Sequence, residues 1–477
     1  MHSFQNIFFV CAKWKRHPVV TPQVTTHNKT KHSRITMPSL SPSNEEEEEV
    51  KNARTKNLLL YLYCFLTTSL VGGTIYGYPA LRRQLLHLGT TIPEKKLGAA
   101  YTAGAWSVQG GRLIFGILRD RFGTRLIAQV SFVCVICGAF GIAFQSVSNE
   151  YALGVNLFLL GLGSGAQLCV QPVAQLFPKN SALFMSGLSG AFQVSGVVYA
   201  VLVGIAKKTS EKGELTVAYG GVFAGAVGCM LVLAFWTLPK SASFVSEKDK
   251  KATESAENVV DPIDGTVTVH LSGKEQMWTK EYIGLVLWFT VLVTPFQYYV
   301  GSIGWHLERL GDDDGTMTNA FAMVYGLAAF CAPVGGMVAD TFGLGITMAF
   351  ASIAVGSSFF VLQLGGTNIP LEAHSVGLVL YAVGRLIVFA MFFSSIGKMF
   401  GYKYYGLLVG WGMFISAVFS TLQYPLIAIA FDGDYAISNY ACGVGSLLAV
   451  SYCGAMYLWE KGGLTAFDRL KYKKVLV

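Results

Sequence analysis

Twelve apolar windows, each about long enough to cross a bilayer, set what this chain can fold into. Six lie near 58–80, 97–118, 126–146, 151–173, 181–205 and 216–238. Six more lie near 281–304, 316–338, 344–365, 374–396, 404–430 and 435–459. A hydrocarbon core of about 30 Å takes about 20 apolar residues in a helix. A helix also satisfies its own backbone polar groups, which lipid cannot do. The fold class is therefore an all-α membrane protein with twelve transmembrane helices. Composition agrees where it bears on this: 13% of residues are charged, against about 25% in soluble domains. Nine Cys in 477 residues are too sparse for a disulfide scaffold.

The stretch 240–279 holds charges, Ser, Pro and Gly and no apolar run. It reads as a flexible linker between two six-helix halves. The expected layout is a disordered cytosolic tail over 1–56, a helix bundle over 57–239, the cytosolic linker, a second bundle over 280–460 and a cytosolic tail over 461–477. Lys and Arg in loops set orientation. With both termini inside, twenty fall on the cytosolic side, within the loops and flanking tails, and eight on the other. Both termini are thus expected in the cytosol. Residues 1–44 hold six Lys or Arg and no Asp or Glu, ahead of the acidic run Glu45 to Glu49. Such a tail has the composition of an organellar transit peptide or of a plain cytosolic tail. The second reading is preferred, with the plasma membrane ahead of an organelle. Met37 is an alternative start, and the Asn28-Lys29-Thr30 sequon falls on the cytosolic side.

A ten-residue motif, Gly-Ile-Leu-Arg-Asp-Arg-Phe-Gly-Thr-Arg, occupies 116–125, where helices 2 and 3 meet. A related one, Gly-Met-Val-Ala-Asp-Thr-Phe-Gly, occupies 336–343, where helices 8 and 9 meet. The same pattern at the same place in each half marks an internal repeat. Gly116 lets another helix approach closely. Asp120 can accept from the orphan N–H groups of a nearby helix N-terminus and complement its dipole. Arg121 and Arg125 can pair with Asp120 or with lipid phosphate, and Gly123 permits a tight turn. The motif resembles the signature loop of the major facilitator superfamily. That resemblance implies two pseudosymmetric six-helix bundles and a gating role for Gly116, Asp120, Arg121, Gly123, Arg125 and Asp340. A plain basic turn on the cytosolic side is the simpler reading. The second copy lacks the Arg residues, so its latch is expected to be weaker or purely packing.

Further segments carry a closer resemblance. They are Tyr76-Gly77-Tyr78-Pro79, Gly-Ser-Gly-Ala-Gln over 163–167, Leu176-Phe177-Pro178, Ser-Gly-Ala-Phe-Gln-Val-Ser over 189–195, Gly384-Arg385 and Ser-Thr-Leu-Gln-Tyr-Pro over 420–425. Taken in order, they resemble the facilitative large-neutral-amino-acid transporters of that superfamily and their fungal and protist relatives. The resemblance spans nearly all of 58–459. It implies amino acid transport by alternating access, with a site near mid-membrane lined by helices 1, 4, 7 and 10.

Arg385 falls close to the centre of the tenth window, where a charge costs at least about 2.5–3.5 kcal/mol. No window holds an Asp or Glu near its middle. A guanidinium there fits an external carboxylate, supplied by the substrate. It can instead bond helix carbonyls and nearby Gln or Tyr side chains. Supporting candidates are Thr74, Tyr76, Gln167, Gln171, Gln193, Gln297, Tyr298 and Tyr299. A Gln can accept from an ammonium and donate to a carboxylate, and a Tyr face can hold a cation. Interhelical hydrogen bonding, worth about 0.6 kcal/mol on average, is the plain alternative for each. Arg112, nearer the cytosolic end of helix 2, can snorkel and reads as an anchor or gate element at most.

Proton-coupled carriers place acids or His within the membrane. Here only His306, at the outer end of helix 7, comes near, so diffusion or exchange without tight ion coupling is expected. Cys134 and Cys137 read as buried thiols, and Asp312, Asp313 and Asp314 as a solvated loop cap. No metal cluster, phosphate-binding loop or nucleophile triad stands out. The expectation is a non-enzymatic, monomeric carrier with no cofactor, metal or nucleic acid. Its partners are the bilayer and a carboxylate-bearing small molecule. Two alternatives stay open: an organic-anion or monocarboxylate carrier on the same fold, and a non-transporting membrane receptor or scaffold.

Overall fold

In the computed structural model, residues 44–144, 149–209, 215–245, 272–312, 316–364, 371–431 and 435–461 are described. The tail before residue 44, residues 246–271 of the linker, the segment after 461, Asp313 and Asp314 lie outside them, and with them Met37 and the sequon. The chain divides into Met1–Asn52 and Ala53–Val477; the packing below belongs to the second unit.

The described residues form twelve long helical runs, close to the twelve windows, and one short helix ahead of the seventh. The first half holds α1 (Asn44–Val71, resuming as Tyr78–His87), α2 (Glu94–Phe122), α3 (Thr124–Phe144), α4 (Glu150–Leu176), α5 (Pro178–Thr209) and α6 (Thr216–Thr237). The second half holds α7 (Lys280–Arg309), α8 (Thr316–Leu327, resuming as Ala328–Phe342), α9 (Leu344–Val361), α10 (Ser375–Phe400), α11 (Tyr405–Ala430) and α12 (Tyr435–Glu460). Nine of these runs are long and apolar enough to cross a membrane by length and composition alone. The other three are α1, α2 and α8. The first breaks at Gly72 and Gly73, and the third passes through a tighter turn over Ala328–Cys331. The second carries Gln109 and Arg112 inside it.

Buried apolar side chains gather into two cores. One draws on residues between Tyr63 and Leu238, around Phe132, Tyr199 and Tyr219. The other is built around Phe289, Tyr299, Tyr381 and Phe392, and takes in Leu168, Ala174, Ala182 and Met185 from the first half. Large apolar side chains such as Phe144, Trp236, Phe330 and Leu448 point outward, as a lipid-facing surface requires.

The repeat is visible in the backbone. Gly123 ends α2 at φ +92°, ψ 165°, and Gly343 ends α8 at φ +103°, ψ 162°. Only glycine adopts such angles without strain. The α3 N-terminus donates to chain carbonyls, Thr124 N to Ser241 O and Arg125 N to Pro239 O, both at 3.1 Å. The α9 N-terminus meets the Glu460 carboxylate instead, through Leu344 N at 2.7 Å and Gly345 N at 2.9 Å. Ser241 and Ala242, at the start of the expected linker, are thus pinned across the α2–α3 turn. Near its end, Gly273–Met277 is helical, with a capping box between Ser272 and Glu275. The thiol pair is also corrected: Cys134 is half-buried and Cys137 is exposed, since α3 turns that face outward. Asp312 accepts from Met317 N at 2.8 Å and is buried. It is a helix cap, but not a solvated one.

Candidate functional site

Two carboxylates hold the halves together at one end of the molecule. Asp120, at the end of α2, accepts from Gly406 N at 3.2 Å and Leu407 N at 2.7 Å, at the start of α11. Asp340, at the end of α8, accepts from Ala182 N at 3.2 Å and Leu183 N at 2.9 Å, near the start of α5. Each acid satisfies two orphan N–H groups and faces the positive end of a helix dipole. A Cβ on Gly116 would sit 2.3 Å from Gly406 O, and one on Gly336 would sit 2.5 Å from Ala182 O. The helices cross where side chains are absent, as close packing in membranes demands.

The cations at these joints differ from the sequence expectation. Arg119, fully buried, pairs with Asp120 at 2.8 Å and also donates to Ala242 O. Arg121 is exposed, and its guanidinium lies over the Phe122 ring. Arg125 donates from Nε to Leu238 O at 2.8 Å. Helical geometry explains the exchange: Arg119 and Asp120 are turned inward, whereas Arg121 falls on the outer face. The second joint is not purely packing either. Lys398 of α10 lies 3.2 Å from Asp340 and supplies the positive charge that the second motif lacks.

Toward the middle of the membrane, Arg112 is 2% exposed. Its Nη2 donates to Gln167 Oε1 on α4 at 2.7 Å, and its Nη1 to Gln109 Oε1 at 3.5 Å. The guanidinium lies 4.7 Å from the centroid of the Phe192 ring on α5. Arg112 therefore does not snorkel; it turns to the centre. Arg385 on α10 is 6% exposed, and its guanidinium lies 5.1 Å from the Phe389 ring centroid and 6.0 Å from that of Phe296. The two guanidinium groups lie within each other's electrostatic field, with Tyr76 and Tyr405 also close to Arg112.

Of the predicted glutamines, Gln167 touches Arg112 directly. Gln167, Gln171 and Gln193 are all buried. The Tyr405 hydroxyl donates to Gln171 Oε1 at 3.4 Å. The Nε2 donors of Gln167 and Gln171 have no hydrogen-bond partner, nor has either amide atom of Gln193. Tyr76 sets its ring edge against Phe192 at 5.8 Å, so it joins the same group.

Other predicted residues stand elsewhere. The Tyr298 hydroxyl donates to Asn439 Oδ1 on α12 at 3.1 Å, and its ring stacks near Phe359 of α9. Tyr298 thus ties α7 to its own bundle. Tyr299 stacks on Tyr381 at 3.7 Å. Thr74 is buried in the α1 break and Gln297 is half-buried. His306 lies edge-on to Tyr435, in the second bundle. A cavity of about 350 Å³ opens against Arg54, Leu58, Lys179, Phe177 and Phe184 and involves none of these candidates.

Sequence reasoning read Arg112 as an anchor or gate element at most, and did not single out Gln109, Arg119, Phe192 or Tyr405 for the centre or the joints. Arg112 had a signal: it lies on the face of α2 that carries Gln109 and Gly116, three residues before and four after it, and that face meets the neighbouring helices.

Comparison with known proteins bears on the fold. The family model of the Major Facilitator Superfamily matches residues 7–196. The xylose symporter XylE, bound to a bromodeoxyglucose, superposes with a TM-score of 0.62, covering 88% of this chain and 98% of that one at 14% identity. The E. coli fucose symporter FucP superposes with a TM-score of 0.55, covering 87% and 99% at 12% identity. The chain has the major facilitator fold. Equilibrative nucleobase transporter 1 of Bos taurus is 22% identical over 384 residues, 70% of this chain and 78% of that protein. A gallate transporter of Pseudomonas putida is 22% identical over 413 residues, 78% and 90%. The match over 7–196 and the fold make the chain similar to multi-pass transporters of this superfamily. The relatives are named for a nucleobase and for gallate, and lend the amino-acid branch no support.

Proposed function

We propose that this carrier moves a small organic anion by alternating access, through facilitated diffusion or exchange. The observation that carries the reading is the donor-rich centre: Arg112 and Arg385, with buried amide donors of Gln167, Gln171 and Gln193 that lack partners. No span holds an Asp or Glu at mid-depth. Such a site suits a ligand rich in acceptors, and the gallate transporter among the relatives is in keeping with it. Both termini and the two carboxylate joints would lie on the cytosolic side, in a monomer of the plasma membrane.

A neutral amino acid is the second reading. It rests on the family resemblance and on Gln193, whose Oε1 has no partner and can accept from an ammonium. Against it, Gln167 Oε1 is already held by Arg112 and Tyr298 faces α12, so two of the expected ammonium ligands are spent. Counterflow in proteoliposomes separates the readings. Trans-stimulation by aromatic and aliphatic carboxylic acids, lost in Arg385→Gln, is the expected result. Stimulation by neutral amino acids alone overturns the anion reading, and binding of acids with no flux favours a receptor.

A further inference from the structure

The cavity of about 350 Å³ lies between the start of α1 and the α4–α5 turn. Its size is at the lower end of the range for small-ligand sites, about 300–1,000 Å³. One wall is apolar: Leu58, Phe177 and Phe184. Phe177 and Phe184 stack with centroids 3.7 Å apart. The Tyr61 hydroxyl donates to Phe184 O at 3.1 Å, and its ring meets the Phe184 ring edge-on at 4.8 Å. Contacts between α1 and α5 thus fix that wall. Two cations, Arg54 and Lys179, line the same cavity. Both are exposed, and neither is in an ion pair among the described residues. Position along α1 decides what can reach them. Arg54 and Lys56 precede the apolar run, whereas Leu58, Leu59 and Leu62 belong to it and are exposed, as lipid-facing side chains are. Arg54 and Leu58 are four residues apart, on one face of the helix. The cavity therefore straddles the line where α1 passes from water into hydrocarbon.

We infer that this cavity holds a phospholipid with a net negative headgroup, its phosphate at Arg54 and Lys179 and its chains on the wall of Leu58, Phe177 and Phe184. A free anion would use only the cations, and an uncharged lipid only the wall. A choline headgroup would bring its own ammonium up to two cations, which like-charge repulsion disfavours. Cations at the membrane surface attract anionic lipids for the same reason. The lining residues all belong to the first half, so the lipid travels with that bundle and does not bridge the two. The inference is independent of which cargo the carrier moves.

The test uses the purified full chain in dodecyl maltoside micelles with pyrene-labelled phosphatidylglycerol. Unlabelled phosphatidylglycerol, phosphatidylcholine and glycerol 3-phosphate serve as competitors. Each cation near an anionic headgroup is worth about fivefold in affinity. Wild type should therefore prefer phosphatidylglycerol to phosphatidylcholine by at least about tenfold. Arg54→Gln and Lys179→Gln should each cut that preference about fivefold, and Arg54→Lys should keep most of it. Lys280→Gln, which removes an exposed cation at the start of α7, should leave it unchanged. Equal competition by the two lipids on wild type, or no displaceable binding, overturns the inference. So does a preference that falls equally in all three Gln variants, which reports a diffuse basic surface, or in none of them. Glycerol 3-phosphate competing as well as phosphatidylglycerol overturns the lipid occupant in favour of a free phosphate ester. The wild-type ratio decides even where a variant fails to fold.

Discussion

Gln167 and Tyr298, given the same role from sequence, serve two different purposes in the structure. Both sit on helices that line the central region in this architecture, and both have polar ends. Gln167 presents its carbonyl oxygen to Arg112 at 2.7 Å; Tyr298 turns about the axis of α7 and bonds Asn439. Gln167→Ala leaves a buried guanidinium N–H without its acceptor, which costs about 1–3 kcal/mol. We expect a lower melting temperature together with weakened binding of carboxylic acids. Tyr298→Phe removes one interhelical bond, worth about 0.6 kcal/mol. A small fall in melting temperature with unchanged counterflow affinity is the expected result, and a large loss of affinity would return Tyr298 to the site. Arg385 was legible because a charge in mid-membrane needs a reason. The orientation of Tyr298 was not, because helical spacing places a side chain on a face without saying which neighbour that face meets.

At the scale of helices, the two joints are built alike. A carboxylate ends one helix, caps another and has a cation beside it, Arg119 in one case and Lys398 in the other. Asp120 was readable as a capping acid because orphan N–H groups at a helix start need acceptors. Lys398 was not readable as its counterpart's partner, since it lies 58 positions after Asp340 on α10. Asp120→Asn and Asp340→Asn should each weaken the closed joint by about 1 kcal/mol, the scale of a carboxylate at a helix N-terminus. That is about a fivefold shift toward the state open at this end. Spin-label distances between the α2–α3 turn and the α10–α11 turn measure it. Comparable shifts in the two variants are expected; a silent Asp340→Asn would restore the weaker second latch that the motif alone suggests.

At the scale of the whole molecule, the two cores pack separately except where α4 and α5 side chains enter the second one. Relative movement of the halves must part the close α2–α11 and α5–α8 crossings at that end as well as break the polar joints at Asp120 and Asp340. The central pair of guanidinium groups stays charged at any physiological pH, and no mid-depth carboxylate accompanies it. Exchange should therefore be indifferent to a pH gradient. Counterflow measured with and without an imposed gradient of about one unit checks this, and accumulation that follows the gradient would point to His306 or another titrating group.

Length and spacing of apolar windows determined the membrane class, the helix count and the repeat, because hydrocarbon admits few solutions to the backbone hydrogen-bonding problem. The motif residues at 116–125 and 336–343 determined where two turns would need glycine and two helices an acid. Tertiary structure alone decided which arginine pairs with Asp120, that Arg112 enters the centre, and that Tyr298 leaves it. Those outcomes depend on the rotation of each helix against its neighbours. That rotation is set by contacts between residues far apart in the chain, such as Gly116 with Gly406 and Arg112 with Gln167, which no local pattern contains.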